Sequence, residues 1–240
     1  TVFFYGIGQY FAVAFGAYLI TYIIYDGDKA GFATLLMWAT AGGAIVSVGL
    51  NLLIRRLGKT IEKVTLLKVT MFLSLLTPLA ALVAFQPGEP YWYILYQVIA
   101  LPIGNTAVEL LPMSIVADVC DIDEVNSGRR REGAFAGVYN SALKSGYMFA
   151  PALAMILLSM SGFDGQMKTQ TEETKALLQS FLVGGLALTF GTAFLFSRGI
   201  NLRKSDVEMA QRGNAQKAAT STEAKRDDKQ QEPGPSSNGL

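Results

Sequence analysis

The stretch that decides the fold runs from Glu109 to Pro151 and reads ELLPMSIVADVCDIDEVNSGRRREGAFAGVYNSALKSGYMFAP. An apolar segment ends in a group of carboxylates, a polar turn leads to three consecutive arginines, and a second apolar segment begins at Gly133. Deep inside this second segment lies Lys144. A lysine at the centre of a transmembrane helix costs about 2.5–3.5 kcal/mol. The stretch therefore predicts two membrane spans joined by a charged loop, and a functional reason for Lys144.

The rest of the chain repeats this pattern of long apolar segments and short polar breaks. The composition is 51% hydrophobic and 16% charged, although the C-terminal part is strongly polar. About 20 helical residues cross the hydrocarbon core of a bilayer. We predict an all-α membrane protein with six transmembrane helices in residues 1–200, at about 3–25, 31–54, 64–85, 91–119, 133–160 and 176–197. Residues 201–240 lack an apolar period, which predicts a disordered cytoplasmic tail.

The distribution of basic residues predicts how the spans are oriented. On one side lie Arg55, Arg56, Lys59, Lys63, Arg129, Arg130, Arg131, Arg198, Arg203, Lys204 and Arg212, and on the other lie Lys29, Lys168 and Lys175. Loops rich in lysine and arginine stay in the cytoplasm. The more basic side is therefore predicted to be cytoplasmic, as are both chain termini, in a plasma or inner membrane.

Composition also excludes several function classes. The chain has no histidine, which excludes Ser-His catalysis and histidine zinc motifs within it. Paired intramembrane aspartates and a G-x-S-x-G motif are absent from the sequence, so we predict that the protein is not an enzyme. The formal net charge of +1 gives no indication of nucleic-acid binding. The acidic residues do not follow calcium-loop spacing, so we predict no metal site.

Three motifs give the chain a close resemblance to one family. They are Ala117-Asp118-x-x-Asp121-x-Asp123-Glu124, then Gly128-Arg129-Arg130-Arg131-Glu132-Gly133, then Lys144-Ser145-Gly146. This pattern resembles the glycoside–pentoside–hexuronide:cation symporters, the melibiose-permease-like branch of the major facilitator superfamily. The resemblance covers about residues 1–200 and only the second half of such a transporter. It implies one six-helix half of a major-facilitator bundle, with an N-terminal six-helix half as its partner.

Lys144 is the strongest candidate for solute binding. It lies 11 residues into its span, which places it about 17 Å deep, near the bilayer midplane. At helical spacing from it lie Gly137, Asn140, Ser141, Tyr147 and Pro151. This polar or small face predicts a water-filled cavity. The resemblance implies that Lys144 lies beside the sugar site and that Tyr139 and Asn140 line the pocket. A lysine paired structurally to a carboxylate is the alternative.

Glu109, one helical turn from Asn105, is the second candidate. A carboxylate within a membrane span is also costly, and Lys144 on the next helix is the expected partner. The resemblance places an aromatic residue of the solute pocket near this position. Glu109 departs from that pattern and argues against a melibiose-like solute. An ion pair that only holds two helices together remains the alternative.

The charged loop is predicted to gate the cavity. Its candidate residues are Asp118, Asp121, Asp123, Glu124, Arg129, Arg130, Arg131 and Glu132. Carboxylates and arginines at the cytoplasmic end of a helix bundle suit ion pairs that form and break as the cavity opens. The alternative is an ordinary solvated loop on the positive side of the membrane.

The function predicted from these observations is cation-coupled symport of a sugar or related small solute by alternating access. We expect no cofactor other than the coupling cation, sodium or a proton, bound mainly outside this chain. Expected partners are the solute, the bilayer and the N-terminal half. A lipid-type carrier of the same architecture, a non-transporting interaction subunit and a truncated paralogue remain alternatives.

Overall fold

The computed structural model describes residues 1–216, except for the side chains of Leu101 and Val108. The described residues contain only helices and connecting turns, which confirms the all-α fold. The helices are α1 (Val2–Leu19), α2 (Lys29–Leu57), α3 (Lys63–Ser74), α4 (Thr77–Ala84), α5 (Pro90–Asn105), α6 (Leu111–Ser127), α7 (Glu132–Met160), α8 (Glu172–Ser197) and α9 (204–216). Two π-helical turns, Ile20–Ile24 and Thr106–Leu110, extend α1 and join α5 to α6.

Five helical stretches in the described part of the chain are long and apolar enough to cross a membrane. They are Val2–Ile24, Lys29–Leu57, Lys63–Ala84, Glu132–Met160 and Glu172–Ser197. Where the fourth span is predicted, the helix is divided into pieces of 16, 5 and 17 residues, because the π-helical turn separates α5 from α6. The membrane boundaries of the spans stay a prediction, since no bilayer is present.

Local chemistry explains where the helices begin, break and end. Asp28 caps α2 by accepting a hydrogen bond from the Ala30 amide at 3.0 Å. Pro112 has no N–H to donate to a carbonyl in the preceding turn, and the backbone there widens into a π-helix in which the Leu111 amide reaches back to the Thr106 carbonyl. Gly128 ends α6 in the left-handed conformation, with φ of 69°.

The bundle is built around α1, which packs against both α7 and α8. The contact with α7 depends on glycine, because a Cβ atom on Gly146 would lie 2.5 Å from the carbonyl oxygen of Phe3. Small residues allow this close backbone approach in a membrane, where no hydrophobic force drives helices together. On the α8 side, Phe11 and Phe15 are fully buried, and a Cβ atom on Gly185 would lie 2.6 Å from the Phe11 ring. A second pair, α2 and α5, packs along its length.

The beginning of the C-terminal tail differs from the prediction. Residues 204–216 form α9, where the sequence predicted disorder. Val207 and Ala210 are buried in this helix, and the Lys204 ammonium donates to the Lys59 carbonyl at 2.5 Å. Val207 and Ala210 lie three residues apart and therefore on one face of the helix, which packs against the bundle. The predicted disorder of 217–240 lies outside the described residues.

Candidate functional site

The predicted solute-binding residues lie where α7 meets α6, the π-helical turn and α1. Lys144 and Asn140 are exposed on α7, and Tyr139 and Tyr147 are half-buried on the same helix. The Asn140 amide donates to the Ala136 carbonyl at 2.9 Å. An exposed lysine in the middle of a helix long and apolar enough to span a membrane is costly unless water or a partner reaches it.

Glu109 projects from the π-helical turn between α5 and α6. Its side chain is exposed. Asn105 and Glu109 line an open recess of about 460 Å³ together with Asn51, Leu110, Met113 and Ser114. π-helical turns within α-helices occur often at functional sites, and this one carries a carboxylate that lines the recess.

The expected ion pair between Lys144 and Glu109 is absent from the structure. Among the ion pairs of residues 1–216, none within 4.0 Å joins these two side chains. The expectation that Lys144 and Glu109 neutralise each other is therefore wrong for this conformation.

The structure adds Tyr10 to this group, which the sequence analysis did not select. The rings of Tyr10 on α1 and Tyr147 on α7 stack with their centroids 3.8 Å apart at an angle of 26°. The Tyr10 side chain remains 42% exposed, so one face of the stacked pair is accessible. The only signal in the sequence was a polar aromatic residue in the middle of the first apolar segment.

The charged loop forms a set of ion pairs at one end of the bundle. Arg131 holds Asp123 through two hydrogen bonds, of 2.9 and 2.5 Å, and this contact lowers the pKa of the Asp123 carboxyl below its usual range. Arg130 bonds Glu132 at 2.5 Å and lies 3.8 Å from Glu124. These pairs link the end of α6 to the start of α7.

The remaining predicted gating residues have other partners. Asp118 is buried and pairs with Lys63 at 2.7 Å. Asp121 accepts from the Gln211 side chain on α9 at 3.0 Å. The Arg129 side chain is exposed, and its backbone amide donates to the Ser127 hydroxyl at 3.3 Å. The structure therefore adds Lys63 and α9, which are distant in sequence, to the group of residues that contact the charged loop.

Comparison of the sequence with known protein families gives one match over most of the chain. The family described as MFS/sugar transport protein matches residues 2–204. The chain belongs to this family. That membership confirms the resemblance and the predicted half of a major-facilitator bundle, and it favours transport over catalysis.

One curated protein is similar over a shorter segment. It is described as an uncharacterized symporter from Synechocystis sp., with 36% identity over 85 residues. The matched segment covers 35% of this chain and 15% of that protein, so the chain spans only a small part of the relative's length. No solved structure matches the chain.

Proposed function

We propose that the chain forms one half of a cation-coupled secondary transporter for a sugar or a related small, hydroxyl-rich solute. The observation that carries this proposal is the polar group on the α7 side of the bundle, where Lys144, Asn140 and Glu109 are exposed beside the stacked Tyr10 and Tyr147 rings. Such groups are expensive in lipid and are retained where they line a water-filled path.

Each residue has a distinct chemical role in this proposal. The Lys144 ammonium and the Asn140 amide donate hydrogen bonds to solute hydroxyls. The accessible face of the tyrosine pair offers an apolar surface for the C–H face of a sugar ring. Glu109 supplies an acceptor close to the two phenols, and it accounts for a solute different from melibiose. Asn105 lines the adjoining recess, and Tyr139 completes the wall on α7.

Gating in this proposal depends on the ion pairs of the charged loop. Contacts that exist in only one conformation bias the equilibrium between inward-facing and outward-facing states, whereas contacts present in both do not. The Asp123–Arg131 and Lys63–Asp118 pairs join neighbouring helices at the end proposed to be cytoplasmic. An N-terminal six-helix half completes the cavity, and the coupling cation, sodium or a proton, binds mainly in that half.

The test is uptake by the complete protein in sealed vesicles. A panel of radiolabelled sugars is offered with a sodium gradient, with a proton gradient and with neither. The proposal expects one class of sugar to accumulate only when a cation gradient is imposed. Accumulation of lysolipids but not of sugars would support the lipid-type carrier, and no gradient-driven uptake of any solute would favour an interaction subunit.

A further inference from the structure

An apolar groove lies between α4 and α5, away from the polar group on α7. It begins where the third apolar segment breaks between α3 and α4. Pro78 has no amide hydrogen to continue the helix, and the Thr77 hydroxyl instead donates to the Ser74 carbonyl at 2.7 Å. The break offsets the two helices, and the groove starts at this point with Leu73, Leu76 and Thr77.

The groove has a volume of about 420 Å³ and walls that are almost wholly apolar. Along it, Leu76, Val83, Leu95 and Ile99 each expose about half of the side chain. A surface of this kind is costly in water but suits hydrocarbon. The α3–α4 wall belongs to a stretch that is long and apolar enough to cross a membrane, and the chain belongs to a sugar-transport family of the membrane. We therefore expect the groove to open towards the acyl chains of the bilayer.

The length of the groove and the tryptophan at its end suit one acyl chain. From Trp92 to Ile103 the α5 wall extends over 11 residues, which corresponds to about 17 Å. That length is close to the depth of one leaflet, about 15 Å of a 30 Å hydrocarbon core. Trp92 lies near the start of α5 and is 49% exposed, as expected for an aromatic anchor at the level of lipid headgroups.

We propose that this groove is a binding site for one acyl chain of a membrane phospholipid, with the headgroup beside Trp92. The lipid belongs to the leaflet at the Trp92 end, whichever side of the membrane that is. This site is separate from the proposed solute site and does not require transport to be correct.

The inner wall of the groove gives the bound lipid a structural consequence. Thr77, Tyr96 and Ala100 also line a second, partly open cavity of about 140 Å³, which Gln9 and Gln97 line as well. One layer of side chains thus separates the groove from a partly polar interior. An acyl chain packed against Tyr96 holds this wall closed and keeps the interior cavity from opening into the bilayer.

The experiment uses a phosphatidylcholine with a photoreactive diazirine on one acyl chain, in vesicles that contain the complete protein. After illumination, mass spectrometry maps the labelled peptides. The groove variant is Ala80→Phe, which fills the groove from α4. The matched control is Ala187→Phe on α8, because Ala187 is likewise an exposed alanine on an apolar helix face and lies outside the groove. Ala80→Leu is a smaller filling substitution that preserves folding if phenylalanine does not.

The proposal expects concentrated labelling of residues 73–84 and 92–103 in the wild-type protein. Labelling of these peptides should fall by about tenfold in Ala80→Phe, measurably in Ala80→Leu, and not at all in Ala187→Phe. Uniform labelling of all exposed apolar faces would show that lipid contacts the groove no more than the rest of the surface, and would overturn the proposal. Absence of label from residues 73–84 and 92–103, while other exposed apolar faces are labelled, would also overturn it.

Discussion

The Lys63 ammonium lies 2.7 Å from a carboxylate oxygen of Asp118 and joins the start of α3 to α6. The Asp118 side chain is only 7% exposed, whereas the Lys63 side chain is 36% exposed. A carboxylate so nearly enclosed needs a partner to remain charged. The pair also borders a pocket that includes Val207 and Gln211 of α9, so three parts of the chain that are distant in sequence meet at one buried charge.

Removing the lysine should therefore destabilise the protein. Lys63→Met leaves Asp118 without its cation, and we expect a loss of about 1–3 kcal/mol, seen as a lower apparent melting temperature in detergent. The double variant Lys63→Met with Asp118→Asn should recover most of this loss, because no buried charge remains. Lys59→Met is the control, since the Lys59 side chain is exposed and only its backbone carbonyl is used. Equal losses of stability in Lys63→Met and Lys59→Met would contradict the claim that Lys63 neutralises the buried Asp118 carboxylate.

Charge reversal in the loop should alter the rate of transport more than the affinity for solute. Arg130→Glu breaks the contacts with Glu132 and Glu124, and Asp121→Lys breaks the contact with α9. We expect slower exchange between inward-facing and outward-facing states, measured by counterflow, with solute affinity within a few-fold of the wild type. Arg129→Glu is the control, because the ion pairs found among residues 1–216 do not include Arg129. If all three variants exchange between states at the wild-type rate, the charged loop is an ordinary solvated loop with no role in gating.

Gly146 should be required for the contact between α1 and α7. A methyl group at this position would meet the Phe3 carbonyl, which belongs to a backbone that cannot easily move. We expect Gly146→Ala to lower the yield of monodisperse protein and its melting temperature. Gly137→Ala on the same helix is the matched control, because nothing lies within 4 Å of a Cβ there. That control should be neutral or slightly stabilising, since alanine favours the helix.

Local patterns in the sequence account for the helices, and long-range packing accounts for what the sequence could not predict. Apolar length alone predicted α2, α7 and α8, because each polar break is short and strongly charged. Lys63 and Asp118 are 55 residues apart in the chain. Their ion pair depends on how two helices pack against each other, which the hydrophobic periodicity of the sequence does not predict. α9 was missed because its two buried side chains, Val207 and Ala210, give no clear apolar stripe.

The sequence predicted the residues of the candidate site that lie on α7, but not the contacts that they make with other helices. A lysine in an apolar segment is visible in the sequence, so Lys144 and its helical neighbours could be selected directly. The stacking of Tyr10 on Tyr147 could not be predicted from the sequence, because it requires α1 and α7 to approach closely at glycine residues. The π-helical turn that carries Glu109 could not be predicted either, because hydropathy does not distinguish a π-helical turn from an α-helix.

The proposed orientation can be tested by cysteine labelling. Basic residues are concentrated at the end that carries Arg55, Arg130 and Arg203, so this end should be cytoplasmic. Single cysteines at positions 164 and 168 should react with a membrane-impermeant maleimide added outside intact cells. A cysteine at 130 should react only after the membrane is opened. The reverse pattern would contradict the orientation, and with it a cytoplasmic gate at the arginine loop.

The exposed face of α7 is proposed to bind the solute, and Lys144 is the most direct probe of that role. Lys144→Met removes the charge and keeps most of the side-chain length, so folding should survive. The control is Lys68→Met, the other lysine inside an apolar segment, which can extend its ammonium to the membrane surface.

The measurement is cation-gradient-driven uptake of the identified solute in vesicles matched for protein content. We predict at least about a tenfold loss in Lys144→Met and wild-type uptake in Lys68→Met. Wild-type uptake in Lys144→Met, or full uptake in the double variant Lys144→Met with Glu109→Gln, would contradict the account and leave Lys144 with only a structural role.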